Sequence, residues 1–555
     1  MHLTLLLAST LTSDPSAHAI RTCQVGYLPN ETKIALIAAT GTGEAVVCRA
    51  SDGKVVFKPT VGPAMKDPDS GDELQRIDFS ALKATGSFYL EVPGIGKGDL
   101  FEISRNVFAR PFRLAMRMFT GQRCGCEVSL APDFPQYHHP ACHTGEAQYD
   151  ASTGREGSLD VTGGWHDAGD FGRYVVNSGI TTGTLLWAYE LNPRKLGRIN
   201  LDLPDHRNGT PDVLTEIRWN LDWMLKMQDA DGGVWHKSTT ARFSGFIMPE
   251  KDTAPTVIVG LGTAPYKVTT ATADFAAVAA IAARVYRPFD PSYADRCLAS
   301  ARKAWTWALN HPNALFTRNP RGISTGGYGD GDARDELLWG SAELFRTTGE
   351  AAYNDYFVGH YGSWKPSLSA NRAQGWPNVE NMGMYTYALS GRRNASPTVI
   401  AEIRADAIKA GDDLVKRSHE NGYLVPMRHT DYIWGSNSVV ANYAMMLQLA
   451  DRLAPKKVYR DAACDCLHYL FGRNTFATSY VTQLGARWPM HPHHRPSAAD
   501  GLEQPWPGML VGGPNANGKP LPARQWEDVQ ANYTVNEIAI NWNAPLVFAI
   551  AVALP

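Results

Sequence analysis

The stretch Thr210-Pro211-Asp212-Val213-Leu214-Thr215-Glu216-Ile217 sets the pattern for the larger part of this 555-residue chain. Threonine can cap a helix, proline suits the first helical position, and an acid in the first turn complements the helix dipole. The residues that follow place apolar side chains on one helical face: Val213, Leu214, Ile217, Leu221, Met224 and Leu225. This spacing predicts an amphipathic helix packed against a core.

Similar helical patterns recur from residue 105 to residue 555. They lie near Phe112–Thr120, Gly179–Leu191, Thr272–Val285, Tyr293–Leu309, Asp335–Thr347, Thr398–Arg417, Ser438–Arg452, Ala462–Phe471 and Glu537–Leu554. The last segment is almost wholly apolar, as expected of a buried helix. A sequence repeat of 30–45 residues, which an open solenoid would show, is missing. We therefore predict an all-α domain over residues 105–555, a closed toroid of paired helices with functional loops on one face.

Residues 20–104 have the pattern of β-structure instead. Short runs rich in branched residues alternate with Gly, Asp and Pro turns, as at Lys33–Ala39, Glu44–Cys48 and Gly86–Val92. This pattern predicts an all-β sandwich of about seven strands that braces the helical domain. Ahead of it, residues 1–19 combine the apolar run Leu3–Leu11 with the small-residue site Ser16-Ala17-His18-Ala19. They predict a signal peptide and a secreted protein, extracellular or periplasmic.

Charge and hydropathy exclude two classes of partner. The net charge is -2 and the sequence pI is about 6.8, which argues against electrostatic binding to nucleic acid or to an anionic membrane surface. No run after the first segment approaches the roughly 18 apolar residues of a transmembrane helix. The 15 Trp and 22 Tyr side chains would supply flat surfaces on which sugar rings can stack.

Two carboxylates stand three residues apart in Gly164-Trp165-His166-Asp167-Ala168-Gly169-Asp170. If this segment turns like a helix, Asp167 and Asp170 share a face, with Cβ atoms about 5–6 Å apart. Such a pair can orient one water molecule, and mutual repulsion separates the two pKa values, so that one carboxylate can act as a base. The alternative is an acidic turn whose Asp side chains cap backbone N–H groups.

A third carboxyl group, Glu537, lies at the start of the apolar terminal segment. Partial burial there would raise its pKa and keep it protonated, as a general acid requires. The alternative is structural, because Thr534-x-x-Glu537 has the spacing of a capping box that begins a helix.

Three further clusters carry possible ligands. Two thiols and two imidazoles, at Cys124, Cys142, His143 and His166, suit a tetrahedral zinc site, although a disulfide among Cys124, Cys126 and Cys142 is the alternative. The loop Met490–Pro496 combines His493 with Arg495, groups that hydrogen-bond hydroxyls or stabilise a carboxylate. The alternatives are a solvated basic loop and a His-rich tract that binds metal incidentally. The run Asp330–Glu336 offers oxygen ligands of the kind that Ca²⁺ prefers, but acids at a helix start also favour the helix dipole.

Taken together, these segments resemble glycoside hydrolase family nine, in the branch with an N-terminal immunoglobulin-like domain. The matching segments are Gln24–Pro29, Gly164–Asp170, Gly245–Glu250, Ala271–Phe275, His493-x-Arg495 and Asn536–Ala544. The resemblance implies an (α/α)6 barrel after the sandwich and an inverting endo-β-1,4-glucanase that hydrolyses cellulose-type glucans. It assigns Asp170 as the general base, Asp167 as its partner in holding the water, and Glu537 as the general acid.

The same resemblance implies the remaining site residues. His493, Arg495 and Trp434 match substrate-binding positions, and Asp528 matches an acid that supports the site by holding His493 or Arg495. Structural zinc would be bound by Cys124, Cys142, His143 and His166, which leaves Cys126 as an extra thiol. Asp335 and Glu336 match acidic calcium ligands, but Pro377-Asn378 replaces a later acidic ligand expected near Trp376.

The expected partner is a β-1,4-linked glucan, bound by a monomer. An exo-acting glucosaminidase on chitosan oligosaccharides, a mixed-linkage glucanase and a xyloglucanase are the alternatives within the family. A carbohydrate-binding protein without catalysis is disfavoured because Asp167, Asp170 and Glu537 are all present.

Overall fold

The β-rich segment forms two stacked antiparallel sheets in the computed structural model, which describes residues 18–39, 43–206, 209–368 and 373–555. The predicted signal peptide, residues 1–19, falls outside these ranges except for its last two residues. Sheet order is β1-β2-β6-β5 in one layer and β4-β3-β7-β8 in the other, where β9 also pairs with β7. The strands are β1 Ile20–Arg21, β2 Ile34–Ile37, β3 Val46–Arg49, β4 Val55–Phe57, β5 Thr60–Lys66, β6 Glu73–Asp78, β7 Gly86–Val92, β8 Gly96–Lys97 and β9 Phe101–Ile103.

Alternating side chains build the core between these sheets. In β9, Phe101 and Ile103 point inward while Glu102 is exposed. Tyr27 packs edge-on against Phe79 and Phe101, at ring-centroid distances of 5.1 and 5.4 Å. The predicted β-sandwich is confirmed.

The rest of the chain is built mainly from helices. They are α1 Ala109–Gly121, α2 Val175–Leu191, α3 Pro193–Leu196, α4 Asp212–Lys226, α5 Thr269–Val285, α6 Pro291–Asn310, α7 Arg334–Thr348, α8 Ala351–His360, α9 Glu380–Ala388, α10 Pro397–Glu420, α11 Ser436–Leu453, α12 Lys457–Leu470, α13 Arg495–Ala499, α14 Tyr533–Asn536 and α15 Ile540–Ala553.

These helices close into a ring. Contacts run from α15 to α2, then to α5, α7, α9, α10 and α11, and back to α15. The inner helices are buried on nearly all sides: α5 is buried at every residue except Arg284, and its many alanines allow its neighbours to approach closely. By contrast, the outer helix α10 buries one stripe only. The predicted closed toroid of paired helices, an (α/α)6 barrel, is confirmed.

Loops at one end of the ring carry two small sheets. One pairs β10 Val128–Leu130 with β11 Phe134–His139. The other has the order β13-β12-β16-β15-β14, formed by β12 Ala147–Tyr149, β13 Ser158–Leu159, β14 Arg173–Tyr174, β15 Lys237–Thr240 and β16 Thr256–Val259. Strand β14 lies between the Asp167–Asp170 segment and α2, so this sheet helps to fix where that segment enters the barrel.

Two helix starts differ from their predictions. The terminal helix begins at Ile540 rather than Glu537, because residues 537–539 are extended and the Ile540 amide donates to the Asp167 carbonyl at 2.9 Å. The capping-box interpretation of Thr534-x-x-Glu537 is therefore wrong. The helix predicted to be capped by Thr210 begins at Asp212, with Pro211 in the cap position.

The sandwich packs directly on the barrel. The Gln24 side chain donates to the Ala477 carbonyl at 2.5 Å and accepts from the Ala486 and Arg487 amides at 2.9 and 3.1 Å. Arg487 also pairs with Asp99, at 2.7 Å. These contacts link the sandwich to the loops after α12. Nowhere in the described ranges is a helix both long and apolar enough to cross a membrane.

Candidate active site

The segment with the two predicted aspartates is an extended, folded-back loop rather than a helical turn. The expectation of a shared helical face for Asp167 and Asp170 is therefore wrong. Gln122, at the end of α1, fixes the loop: its carbonyl accepts from the His166 amide at 2.7 Å, and its side chain donates to the Ala168 carbonyl at 2.8 Å. The loop is thus held from outside, with both aspartates directed by tertiary contacts.

Gly169 allows the loop to touch a second segment. A Cβ atom at this position would lie 2.1 Å from the His493 carbonyl oxygen, closer than any side chain could tolerate. The Gly169 carbonyl accepts from the Arg495 amide at 3.2 Å and from Arg495 Nη1 at 2.6 Å. Glycine at this position thus permits a close approach between two functional loops.

Asp167 is buried and held by two donors. Asn177 Nδ2 donates to its Oδ1 at 2.6 Å, and the Tyr328 hydroxyl donates to its Oδ2. Burial, followed by repulsion from Asp170, raises the pKa of Asp167 to about 8.

Asp170 is buried as well, but it is held on one oxygen only. Its Oδ2 accepts from the Gly172 amide at 3.0 Å and from the Tyr174 hydroxyl at 3.0 Å. Among the described residues, Oδ1 accepts no hydrogen bond. It is therefore the oxygen available to orient and deprotonate a water molecule.

A buried lysine supports both tyrosines. Lys237, in β15, is fully buried and donates to the Gly326 carbonyl at 2.6 Å and to Asn319 Oδ1 at 2.7 Å. The Gly326 amide in turn donates to the Tyr174 hydroxyl at 3.1 Å, and Tyr328 lies two residues further on. Sequence reasoning missed Tyr174, Tyr328 and Lys237. Tyr328 and Lys237 are far from Asp167 in the chain, and Tyr174, although only four residues after Asp170, stands in no pattern that indicates its contact with that carboxylate.

Glu537 lies in the extended strand that crosses this loop. Its carbonyl accepts from the Gly512 amide at 2.8 Å, and its backbone pairs with that of His493. Burial, followed by repulsion from Asp170, raises the pKa of Glu537 well above the usual range for glutamate. A carboxyl group of this kind remains protonated near neutral pH and can donate a proton.

His493 and Arg495 come together at the same place, as expected. The Nδ1 atom of His493 lies 2.7 Å from the Gln530 carbonyl, which leaves Nε2 as the atom that can meet a ligand. Arg495 is tied to the Gly169 carbonyl and, through Nε, to the Ser244 carbonyl at 3.0 Å.

Asp528 supports this loop in a different way from the one expected. Its oxygens accept from the Met490 and His491 amides, at 2.6 and 2.9 Å, and from Asn536 Nδ2 at 2.9 Å. All three contacts are with groups other than His493 and Arg495, so the expected direct hold on those two residues is wrong. Asp528 ties the histidine loop to the segment that precedes Glu537.

Exposed aromatic rings border the site. Trp434 is 48% exposed and lies 5.2 Å from Tyr533, whose ring is 5.7 Å from that of His493. On the other side, Phe246 packs edge-on against His493 at 5.1 Å, and Phe243 lies beside Arg495. Trp434 was expected here; Tyr533, Phe243 and Phe246 were not. Exposed rings in a row suit stacking against sugar rings.

The predicted Cys/His set converges on one point. The ligand atoms of Cys124, Cys142, His143 and His166 all lie within 4.8 Å of one another, and none of these cysteines forms a disulfide. The donor set, two sulfurs and two nitrogens, fits a closed tetrahedral metal site. His143 Nε2 also faces Asp252 Oδ2 at 3.5 Å, the kind of carboxylate contact that orients a metal-binding imidazole.

The second predicted metal site is less complete. Asp335 Oδ2 accepts from the Val379 amide at 2.8 Å, whereas the Glu336 carboxyl is fully buried with neither oxygen hydrogen-bonded in the described part of the chain. Asp274 is in the same condition. Burial raises the pKa of Glu336 well above its usual range, and the charges of Asp335 and then Asp274 raise it further. Within the described residues, no second set of three His, Cys, Asp or Glu side chains converges as the Cys/His set does.

Comparisons with known proteins agree with this geometry. The sequence model of glycosyl hydrolase family 9 matches residues 108–550, and that of the cellulase N-terminal Ig-like domain matches residues 16–97. The chain is 40% identical to Endoglucanase D of Acetivibrio thermocellus over 534 residues, which cover 96% of this chain and 83% of that protein.

Two further similarities concern substrate and metal. A xyloglucan-specific endo-β-1,4-glucanase of Bacteroides ovatus is 34% identical over 557 residues, covering 95% of this chain and 92% of that protein. The crystal structure of a zinc-binding triple mutant of endoglucanase J30 matches with a TM-score of 0.88 at 34% identity, over 95% of this chain and 99% of that one.

Proposed function

Because the chain belongs to glycosyl hydrolase family 9, we propose that it is an inverting endo-β-1,4-glucanase that hydrolyses cellulose-type glucans. The observation that carries the proposal is the meeting of three carboxyl groups from two distant segments, with Asp167 and Asp170 on one loop and Glu537 on the strand that crosses it. Similarity to Endoglucanase D supports the same activity.

The proposed roles follow from the contacts of each carboxyl group. Asp170 takes a proton from the water held at its Oδ1, while Asp167 orients that water. As the water oxygen bonds to the anomeric carbon, Glu537 gives its proton to the departing glycosidic oxygen. In inverting enzymes the two carboxyl groups flank the bond about 6.5–9.5 Å apart, which leaves room for the water.

The substrate contacts belong to the exposed rim. His493 Nε2 and the Arg495 guanidinium would hydrogen-bond sugar hydroxyls, and Trp434 would stack on a sugar ring. Asp528 would act indirectly, by holding the loop that carries His493. A xyloglucanase is the second candidate, favoured by the similarity to the xyloglucan-specific relative.

We propose zinc for the Cys/His site. Cys124, Cys142, His143 and His166 would bind it, and its role would be to fix the position of the loop next to Asp167. The chemistry of the donor set supports zinc, since paired thiolates and imidazoles are its usual structural ligands.

Calcium is proposed at Asp335 and Glu336. A fully buried carboxylate without a hydrogen-bond donor is costly, and a cation would offset that cost at Glu336. Calcium analysis of the purified protein is the test: about one calcium ion per chain is expected in wild type and less in Glu336→Gln. Absence of calcium from wild type, or equal calcium in the two proteins, would contradict the site.

We also propose that the protein is secreted and acts as a monomer. The predicted signal peptide over residues 1–19 supports export. We expect a host cell to export the protein with a mature N-terminus at Ile20. We expect the exported protein to sediment as a monomer with a mass of about 59 kDa, slightly below the 60.7 kDa of the full chain. Retention of the full chain inside the cell would contradict it.

Product analysis tests the proposed activity. Wild type should lower the viscosity of carboxymethylcellulose rapidly, and Glu537→Gln and Asp170→Asn should each lose about 10²–10⁴ in kcat, because each removes one proton transfer. Glu527→Gln, which changes an exposed acid ten residues from Glu537, is the matched control and should keep wild-type activity.

The choice of substrates separates the alternatives. Faster cleavage of xyloglucan or mixed-linkage β-glucan than of carboxymethylcellulose would move the assignment within the family. Release of single glucosamine units from chitosan oligomers would indicate the exo-acting glucosaminidase. Absence of turnover on all of these substrates would contradict the proposal and favour a binding protein.

A further inference from the structure

A polar groove runs along the outside of the barrel, behind the loop that carries Asp167. One face of α4 forms its floor, with side chains at helical spacings of three, four, seven and eleven: Thr215, Arg218, Trp219, Asp222 and Lys226. Arg296 and Ser300 of α6 stand on the facing wall, and the turn Thr162–Gly163 closes one end. The cavity measures about 630 Å³, within the range of small-molecule sites.

The charged groups that line the groove are already paired. Arg218 Nη1 lies 2.8 Å from Asp290, Arg296 Nη2 lies 3.1 Å from Asp222, and Lys226 Nζ lies 3.1 Å from Asp160. An anionic ligand would have to displace one of these carboxylates. A neutral ligand rich in hydroxyl groups could instead use the spare donor and acceptor atoms of the paired groups.

Trp219 provides a rigid apolar surface in this groove. Its indole Nε1 donates to the Gly164 carbonyl at 3.1 Å, and the Arg123 guanidinium lies over its ring at 4.8 Å. The half-buried ring is thus fixed in position before any ligand arrives. A flat ring among paired charged groups is the combination that binds a sugar, whose C–H face is apolar and whose rim is hydroxylated.

Three polar atoms in residues that line the groove lack hydrogen-bond partners. Thr215 Oγ1, Arg218 Nε and Trp223 Nε1 are buried and make no hydrogen bond with any described residue. Buried polar groups are almost always hydrogen-bonded, and an unmade bond is costly. The residues at the floor of the groove therefore keep unused hydrogen-bonding capacity beside it.

We propose that this groove is a second saccharide-binding site, which takes a short neutral oligosaccharide. The polyol class follows from the groove alone, whereas the choice of a β-1,4-glucan fragment rests on the proposed function. Lys226 Nζ contacts the Thr162 carbonyl at 3.0 Å, and Trp219 contacts the Gly164 carbonyl. A bound oligosaccharide would therefore touch the backbone that leads into the Asp167 loop.

Calorimetric titration of Glu537→Gln with cellotetraose tests the site without turnover. Two binding events are expected, one in the cleft and one in the groove. Adding Ser300→Trp, which fills the groove from its rim, should weaken the second event by at least about tenfold and leave the first unchanged. Adding Trp434→Ala instead should weaken the first event, in the cleft, and leave the second event, in the groove, unchanged. Arg296→Ala, which alters a largely exposed side chain, is the milder groove variant and should weaken the same event.

Several outcomes would overturn the proposal. A single binding event in the parent would do so, as would two events that neither groove variant alters. Displacement of the sugar by inorganic phosphate would contradict the neutral ligand class. Maltotetraose, which is neutral but is not a β-1,4-glucan, separates this proposal from the proposed function. Groove binding of maltotetraose without glucan hydrolysis would support the site while the activity failed.

Discussion

Each carboxyl group of the candidate active site is distinguished by its immediate contacts. Asp167 has a donor on each oxygen, Asp170 has both donors on Oδ2, and Glu537 is placed by its backbone beside the other two. Like charges so close cannot all ionise, so at least one proton remains in the cluster near neutral pH. Glu537, whose pKa is raised well above its usual range, is the group that the proposed mechanism needs protonated.

The pH dependence of turnover follows from Glu537. Proton donation is lost as pH rises through its raised pKa, so the alkaline limb of kcat should lie well above the ordinary value of about 4.3. The Arg495 charge lowers this pKa, and Arg495→Gln should therefore move the limb to higher pH. A pH–rate profile for both proteins measures the shift, and a limb that moves to lower pH would count against Glu537 as the acid.

Lys237 is predicted to position the aspartates without touching substrate. Lys237→Met removes the donor to the Gly326 carbonyl and Asn319, and so loosens the segment that bears Tyr328 and supports Tyr174. We expect kcat to fall by about tenfold to a hundredfold with KM nearly unchanged, because small displacements of catalytic groups are costly. Steady-state kinetics on a soluble glucan measures both constants.

The matched control for this variant is Lys251→Met, at an exposed lysine, which should behave as wild type. An increase in KM with an unchanged kcat would contradict a positioning role. Circular dichroism measures the folded fraction of Lys237→Met, and a folded fraction that keeps wild-type specific activity would also contradict it.

At the scale of elements, the Cys/His site brings together three segments between the end of α1 and the start of β14. Cys142→Ser should release the metal, lower the unfolding temperature by roughly 5 °C or more, and reduce activity, because the Asp167 loop is no longer fixed through His166. Elemental analysis should find about one zinc per chain in wild type.

Cys126→Ser provides the control for the metal site. Cys126 is half-buried in the same segment but is not part of the converging set, so this variant should keep its zinc and its activity. Equal metal content in Cys142→Ser and wild type would exclude the assigned ligands.

Element prediction from sequence succeeded where periodicity was strong. The helices near Thr272–Val285 and Ser438–Arg452 were found within about three residues of their ends, because a buried helix needs apolar side chains at fixed intervals. The terminal segment was misjudged at Glu537, since its apolar residues continue through an extended stretch that pairs with Ala168 and Val511. Apolar composition alone does not distinguish a buried strand from a buried helix.

At the scale of the whole molecule, sequence gave the fold class and the motifs, but it did not give the environment of the site. Asp167, Asp170 and Glu537 stand in recognisable motifs, and so do the four Cys/His residues. Tyr328, Lys237 and Gln122 reach the same place from distant segments, and their sequence neighbours carry no distinguishing pattern. Their roles arise only when the barrel closes.

The most direct test of the central claim is the anomeric form of the first product. Proton NMR during cleavage of cellopentaose should detect the α-anomer first, because water activated by Asp170 attacks opposite the departing β-linked oxygen. The signal should be absent with Glu537→Gln over the same time. Initial release of the β-anomer would indicate retention through a covalent intermediate, and would contradict the assignment of Asp170 as a general base.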